Sequence, residues 1–237
     1  RFCVIAGGDH ETSEQRLIDL ANPDAPPRLI AAREEGVQYS ANDRGDQLYI
    51  LTNVDDAIDF KVVTAPLASP ERANWRDMIP YREGIYVLDV ELYAGHMVRL
   101  ERANALPAIV IRDFRTGAEH AIAFDESAYS LDTMGGYEFE TKNLRFSYSS
   151  MTTPSEVYDY DMAKRTRVLR KRQEIPSGHD PADYVTTRIM AKSHDGAEVP
   201  VSILHRKDFV RDGRAPLLLY GYGSYGMAMP ASFAANR

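Results

Sequence analysis

Only one cysteine, Cys3, occurs in the 237 residues. No disulfide can therefore form within the chain, no cysteine pair can hold a metal, and a reducing, cytoplasmic setting is the expectation. Long apolar runs are also missing. The stretch Phe2-Cys3-Val4-Ile5-Ala6 is shorter than a signal-peptide core or a membrane span, so no membrane partner is expected. Positive charge is in deficit: 28 lysines and arginines face 35 aspartates and glutamates, for a net charge of −7. Nucleic-acid binding needs clustered cations, which this balance argues against, whereas it is compatible with basic substrates. His10-Glu11 lacks the second histidine of a His-Glu-x-x-His zinc site, so neither a metal nor a cofactor is expected. No Gly-x-Ser-x-Gly elbow occurs anywhere, and that leaves no recognisable nucleophile.

What is present is a soluble globular composition, 44% hydrophobic and 27% charged, long enough to bury a real core. Strand-like runs recur at a steady interval. Leu48 to Asn53, Met97 to Arg102 and Leu144 to Ser149 begin 49 and 47 residues apart. A second set keeps step after a polar turn: Phe60 to Thr64, Ala108 to Arg112 and Val157 to Asp161. Turn signals sit at Asp43-Arg44-Gly45-Asp46, Arg115-Thr116-Gly117 and Gly135-Gly136. A β-sandwich would also give short alternating segments, but the even spacing favours four-stranded propeller blades, whose period is roughly 40–50 residues. Three whole blades follow part of an earlier one, to which Phe2 to Ile5 and Arg16 to Leu20 belong. Trp75, the single tryptophan, reads as an anchor between blades, and Tyr148, Tyr158 and Tyr160 as half-buried strand residues. Asp55-Asp56 and Glu34-Glu35 read as solvated turns.

From Gln173 the texture changes. Glu174-Ile175-Pro176-Ser177-Gly178-His179-Asp180-Pro181 breaks the rhythm, so residues 1–173 are assigned to the blades and 174–186 to a linker. Two further strand-like runs, Tyr184 to Ala191 and Val199 to Arg206, flank the Asp195-Gly196 turn signal. Then comes Pro216-Leu217-Leu218-Leu219-Tyr220, which predicts a strand buried on both faces, feeding the loop Gly221-Tyr222-Gly223-Ser224-Tyr225-Gly226. Ser224 is a poor nucleophile, because tyrosine stands at 222 where an elbow needs glycine. His194 and His205, the histidines nearest this portion, read as ordinary turn and edge residues. A chain that opens inside one strand and ends at Asn236-Arg237 in another element reads as a fragment.

The stretch Leu219-Tyr220-Gly221-Tyr222-Gly223-Ser224-Tyr225-Gly226 resembles the oxyanion loop of the prolyl oligopeptidase family, its oligopeptidase B branch in particular. Phe146-Ser147-Tyr148-Ser149-Ser150-Met151-Thr152-Thr153-Pro154, with Val157-Tyr158-Asp159-Tyr160-Asp161, is similar to the last propeller blade of that branch. The resemblance implies a mainly β chain: a partial β-propeller of about 3.5 blades, then residues 187–237 as the first strands of an α/β-hydrolase peptidase domain. It implies a serine-type oligopeptidase that cleaves short peptides, in this branch after arginine or lysine, with the propeller restricting access. Tyr222 is then the oxyanion donor. Nucleophile, acid and base would lie in the remainder of the same polypeptide, and this chain alone should be inactive. Two alternatives stay open: a non-catalytic propeller that binds peptides or proteins, and another hydrolase of the fold such as an acylaminoacyl peptidase or an esterase. An esterase of that fold usually carries a His-Gly-Gly run in the oxyanion loop, and none is present.

Overall fold

A computed structural model describes residues 1–135 and 138–235. Gly136 of the Gly135-Gly136 turn signal, and the Asn236-Arg237 end, lie outside the described residues. Strands dominate the regular structure of the described residues, and the chain divides into two compact units, Arg1–Glu101 with Arg112–Ala118, and Arg102–Ile111 with Glu119–Arg237.

In the first unit, β1 (Phe2–Gly8), β2 (Ser13–Asp19) and β3 (Arg28–Leu29) form a three-stranded sheet. Next, β4 (Tyr39–Arg44), β5 (Gln47–Thr52), β6 (Lys61–Pro66) and β7 (Arg76–Ile79) form a four-stranded antiparallel sheet in chain order. The β4–β5 hairpin turns in two residues, Gly45 and Asp46. Gly45 takes a φ of +63°, a conformation that glycine reaches without steric cost and that suits a tight hairpin.

Alternation in β5 explains how this sheet is buried on both faces. Leu48 and Ile50 pack with Leu17, Ile30, Tyr39, Ala41, Val63 and Ala65, which joins the sheet to the three-stranded one. Tyr49 and Leu51 face the other way, toward Val62, Val87, Val90 and Met97. Successive strand residues point to opposite faces, so an unbroken apolar run suits a blade with a neighbour on each side. Trp75 belongs to the first of these clusters. It meets Tyr39 edge-on at 5.5 Å, and its indole N–H donates to the Pro70 carbonyl at 2.8 Å. It anchors one sheet on the next, as expected, but its position is inside the β6–β7 connection rather than between blades.

The strands β8 (Ile85–Leu92), β9 (His96–Ala103), β10 (Leu106–Asp113) and β11 (Glu119–Ala121) make a second four-stranded sheet in the order β11-β10-β9-β8. A third lies wholly in the second unit: β12 (Tyr129–Thr133), β13 (Asn143–Ser150), β14 (Glu156–Asp161) and β15 (Thr166–Arg172), again in chain order. Leu131, Leu144, Phe146, Tyr148 and Tyr160 are its buried hydrophobic residues. The sheets thus bear out the expected organisation, three four-stranded blades after an incomplete one. A hairpin follows, β16 (Tyr184–Lys192) paired along its length with β17 (Glu198–Arg206). Its turn is closed by Ser193 N–H donating to the Ala197 carbonyl at 2.8 Å, with Gly196 at a φ of +90°. β16 starts at Tyr184, inside the stretch read as linker.

The expectation that fails is the strand after this hairpin. Leu217, Leu218 and Leu219 are irregular and 86%, 73% and 82% exposed. An apolar run becomes a buried strand only where neighbours pair its backbone and cover its faces, and the described residues bring neither to it. Every residue from Arg206 to Pro230 is exposed.

Candidate functional site

Tyr222, the residue singled out for oxyanion binding, lies in this exposed run with 51% of its surface open. The loop around it has one short 3-10 turn, Ser224–Gly226, in which Tyr225 takes a φ of 57° and Gly226 one of +70°. A Cβ added at Gly221 or Gly223 would meet nothing within 4 Å. Within the described residues, then, no close backbone approach accounts for these two glycines. The Ser224 carbonyl accepts from Met227 N–H at 3.1 Å.

Neither His194 nor His205 is set in a catalytic pair among the described residues. His194 Nδ1 lies 3.4 Å from Ser193 Oγ in the exposed hairpin turn. The neighbouring carboxylate turns elsewhere: Asp195 accepts from Ala197 N–H at 3.0 Å. That backbone bond, aided by the Ser193 hydroxyl, holds the Asp195 carboxyl below the usual range. His205 Nδ1 bonds the Arg206 carbonyl at 2.7 Å. A serine protease needs the acid on the far nitrogen of the base, and this turn does not provide it. No group of three metal-ligating side chains occurs among the described residues.

What the structure does assemble is a polar and aromatic cluster at the β13–β14 loop. The Glu126 carboxylate accepts three hydroxyls, from Tyr148 at 2.8 Å, Thr153 at 2.7 Å and Thr152 at 3.2 Å. The Tyr148 ring stacks on Phe124 at 4.9 Å with the planes 7° apart. Burial, reinforced by the Glu126 hydrogen bond, drives the Tyr148 phenol far above its ordinary range. Ser150 Oγ accepts from the backbone N–H groups of Thr152 and Thr153 at 3.1 and 2.8 Å. One strand over, Glu156 accepts from Tyr158 OH at 2.5 Å and from Arg172 Nε at 2.6 Å. Burial and that carboxylate push the Tyr158 phenol up to about 12.

Two residues from beyond the blade close on this loop. His179 Nε2 lies 2.7 Å from the Thr152 carbonyl and so donates to it. Its ring packs against Tyr184 at 5.5 Å and edge-on to Phe233 at 4.8 Å. The Phe233 N–H in turn donates to Ser149 Oγ at 2.9 Å. The serine and threonine density of Ser149-Ser150-Met151-Thr152-Thr153 is the visible signal, but its partners Glu126, His179 and Phe233 lie 26 to 84 positions away. In the first unit, Asp55 sits in an exposed turn, as expected of it, and carries an ion pair there. It accepts from the largely buried Lys61 Nζ at 3.0 Å, and Glu34 pairs with Arg72.

A family profile described as "Prolyl oligopeptidase, N-terminal beta-propeller domain" matches residues 1–173. Dipeptidyl aminopeptidase BI of Pseudoxanthomonas mexicana is 40% identical over 236 residues, covering 99% of this chain and 32% of that protein. Protease 2 of Moraxella lacunata is 26% identical over 227 residues, 95% of this chain and 32% of its own length. Oligopeptidase B from Leishmania major is similar in structure, with a TM-score of 0.91 at 27% identity, over 98% of this chain and 34% of its own. The chain spans about a third of the length of the curated relatives it matches.

Proposed function

Because the chain belongs to the prolyl oligopeptidase family, with its N-terminal β-propeller domain over residues 1–173, we propose that it is the propeller-bearing part of a serine-type oligopeptidase acting on short peptides. The observation that carries this reading is the reach of the similarity. Alignment to the 40%-identical peptidase runs over 99% of the chain, past the propeller and through the Tyr222 loop. A binding propeller with an unrelated tail would not align with a peptidase over its whole length.

In this reading the blades restrict access to large folded proteins, and residues 187–237 open the α/β-hydrolase domain. The Tyr222 hydroxyl donates to the oxyanion that forms as the scissile carbonyl is attacked. Such a donor must be fixed about 3 Å from the developing charge and shielded from water, and its loss costs on the order of 10²- to 10³-fold in rate. The exposure of Tyr222 fits a loop that acts only once covered. Nucleophile, acid and base come from the remainder of the polypeptide, so the 237-residue chain alone is inactive.

Cleavage follows arginine or lysine, in keeping with the likeness to oligopeptidase B. A second reading is favoured by the dipeptidyl aminopeptidase relative: release of N-terminal dipeptides. Amide substrates separate the two in the longer polypeptide that carries this sequence. Turnover of an N-acylated arginyl amide supports internal cleavage after a basic residue. Turnover only of dipeptidyl amides with a free amine supports the second reading, and turnover of neither favours a binding module. Hydrolysis of an arginyl ester by the 237-residue chain itself would overturn the assignment of the triad to the rest of the polypeptide.

A further inference from the structure

We infer that the β13–β14 loop is a two-point clamp that positions the whole excursion from residue 180 to residue 232, including the Tyr222 loop, on the last blade. The inference does not depend on a catalytic role for Tyr222. It starts from a contrast in exposure: residues 206–230 are all exposed, whereas residues 231–234 are again partly buried. The chain leaves the blade at His179 and returns to it at Phe233. Both ends bind the same short loop, His179 through the Thr152 carbonyl and Phe233 through Ser149 Oγ. The two ends also bind each other, ring edge to ring face at 4.8 Å.

The receiving loop is suited to holding position. Thr152 and Thr153 are fixed twice, by backbone N–H groups on Ser150 Oγ and by hydroxyls on Glu126. Ser149 Oγ also donates to the Thr153 carbonyl at 3.1 Å. A short rigid loop with two docking points brings together chain positions 54 apart, which on their own would pay a loop-closure cost. The hairpin adds to the base of the excursion: His179 packs on Tyr184, the first residue of β16, and Lys207 N–H donates to the Asp183 carbonyl at 2.8 Å. The excursion is therefore held at its base. His179 and Phe233 are positioning residues in this account.

The test is a distance measurement on the 237-residue chain. Nitroxide labels are placed at the β14–β15 turn by K164C and at the hairpin tip by S193C, in a C3S background. Pulsed dipolar spectroscopy then reads the distribution of separations. One narrow distance is expected in the parent, and its loss to a broad distribution in His179→Ala, with the urea midpoint of the blade unchanged. His179→Phe, which keeps a ring but no donor, should fall between the two. Phe233→Ala reports the same release from the other end, and it supplies the test if His179→Ala does not fold. A distribution as narrow in both alanine variants as in the parent overturns the inference, and so does broadening that appears only together with unfolding of the blade.

Discussion

Replacing Glu126 by alanine should destabilise the last blade by about 1–3 kcal/mol. The carboxylate serves three hydroxyls at 2.7–3.2 Å, and they do not respond alike to its loss. Thr153 and Glu126 itself are only partly buried, so water replaces that bond at little cost. Thr152 is 9% exposed but keeps Ser150 Oγ at 3.2 Å as a partner. Tyr148 is 6% exposed, and a buried hydroxyl left without an acceptor costs about 1–3 kcal/mol, which sets the stated range. With a urea slope near 2 kcal/mol/M, the unfolding midpoint falls by about 0.5–1.5 M. Tyr148→Phe removes one donor and leaves the carboxylate its other two, so about 1 kcal/mol is expected. Urea unfolding followed by near-ultraviolet circular dichroism, which reports the packed aromatic rings, makes the comparison. A Glu126→Ala midpoint within error of the parent would refute the claim that this carboxylate organises the loop.

Three further outcomes follow from the same structure. Asp159 lies between Arg145 and Arg170 at 2.7 Å from each; the Arg145 guanidinium above all, against the opposing effect of burial and helped by Arg170, holds its carboxyl below the usual range. A depressed carboxyl adds stability above its unfolded value near 4 and loses it as pH falls through the lower folded value, so the deficit of Asp159→Asn in urea should be present at neutral pH and shrink as the solution is acidified below that unfolded value. Tyr158 should ionise only near pH 12, and in Glu156→Gln the tyrosinate absorbance should rise at lower pH. Trp75→Phe leaves the Pro70 carbonyl without its indole partner and should cost about 1–3 kcal/mol in urea unfolding.

The central strands were legible because each is an apolar run with a neighbour waiting on both faces. Leu48 to Leu51 shows why: two side chains go to each of two clusters. The outer strands were not legible. β7, β11 and β15 read Arg-Asp-Met-Ile, Glu-His-Ala and Thr-Arg-Val-Leu-Arg-Lys-Arg; the last is exposed at every position, and a charged edge strand carries no burial pattern to detect. Leu217 to Tyr220 failed for the opposite reason. Its composition is that of a buried strand, but composition does not supply the strands beside it. Glu126, between Asp125 and Ser127, looks like any solvated turn. Its role depends on hydroxyls 22 to 27 positions away, which only the register of the blade brings to it. Tyr222 was located by a motif, and its exposed setting adds no local geometry that would have identified it.

The most direct measurement of the central claim is the turnover of a longer polypeptide carrying this sequence with Tyr222→Phe. If the hydroxyl donates to the oxyanion, kcat on a peptide amide falls on the order of 10²- to 10³-fold while KM stays near the parent value. An unchanged kcat would contradict the account and return Tyr222 to an ordinary loop tyrosine.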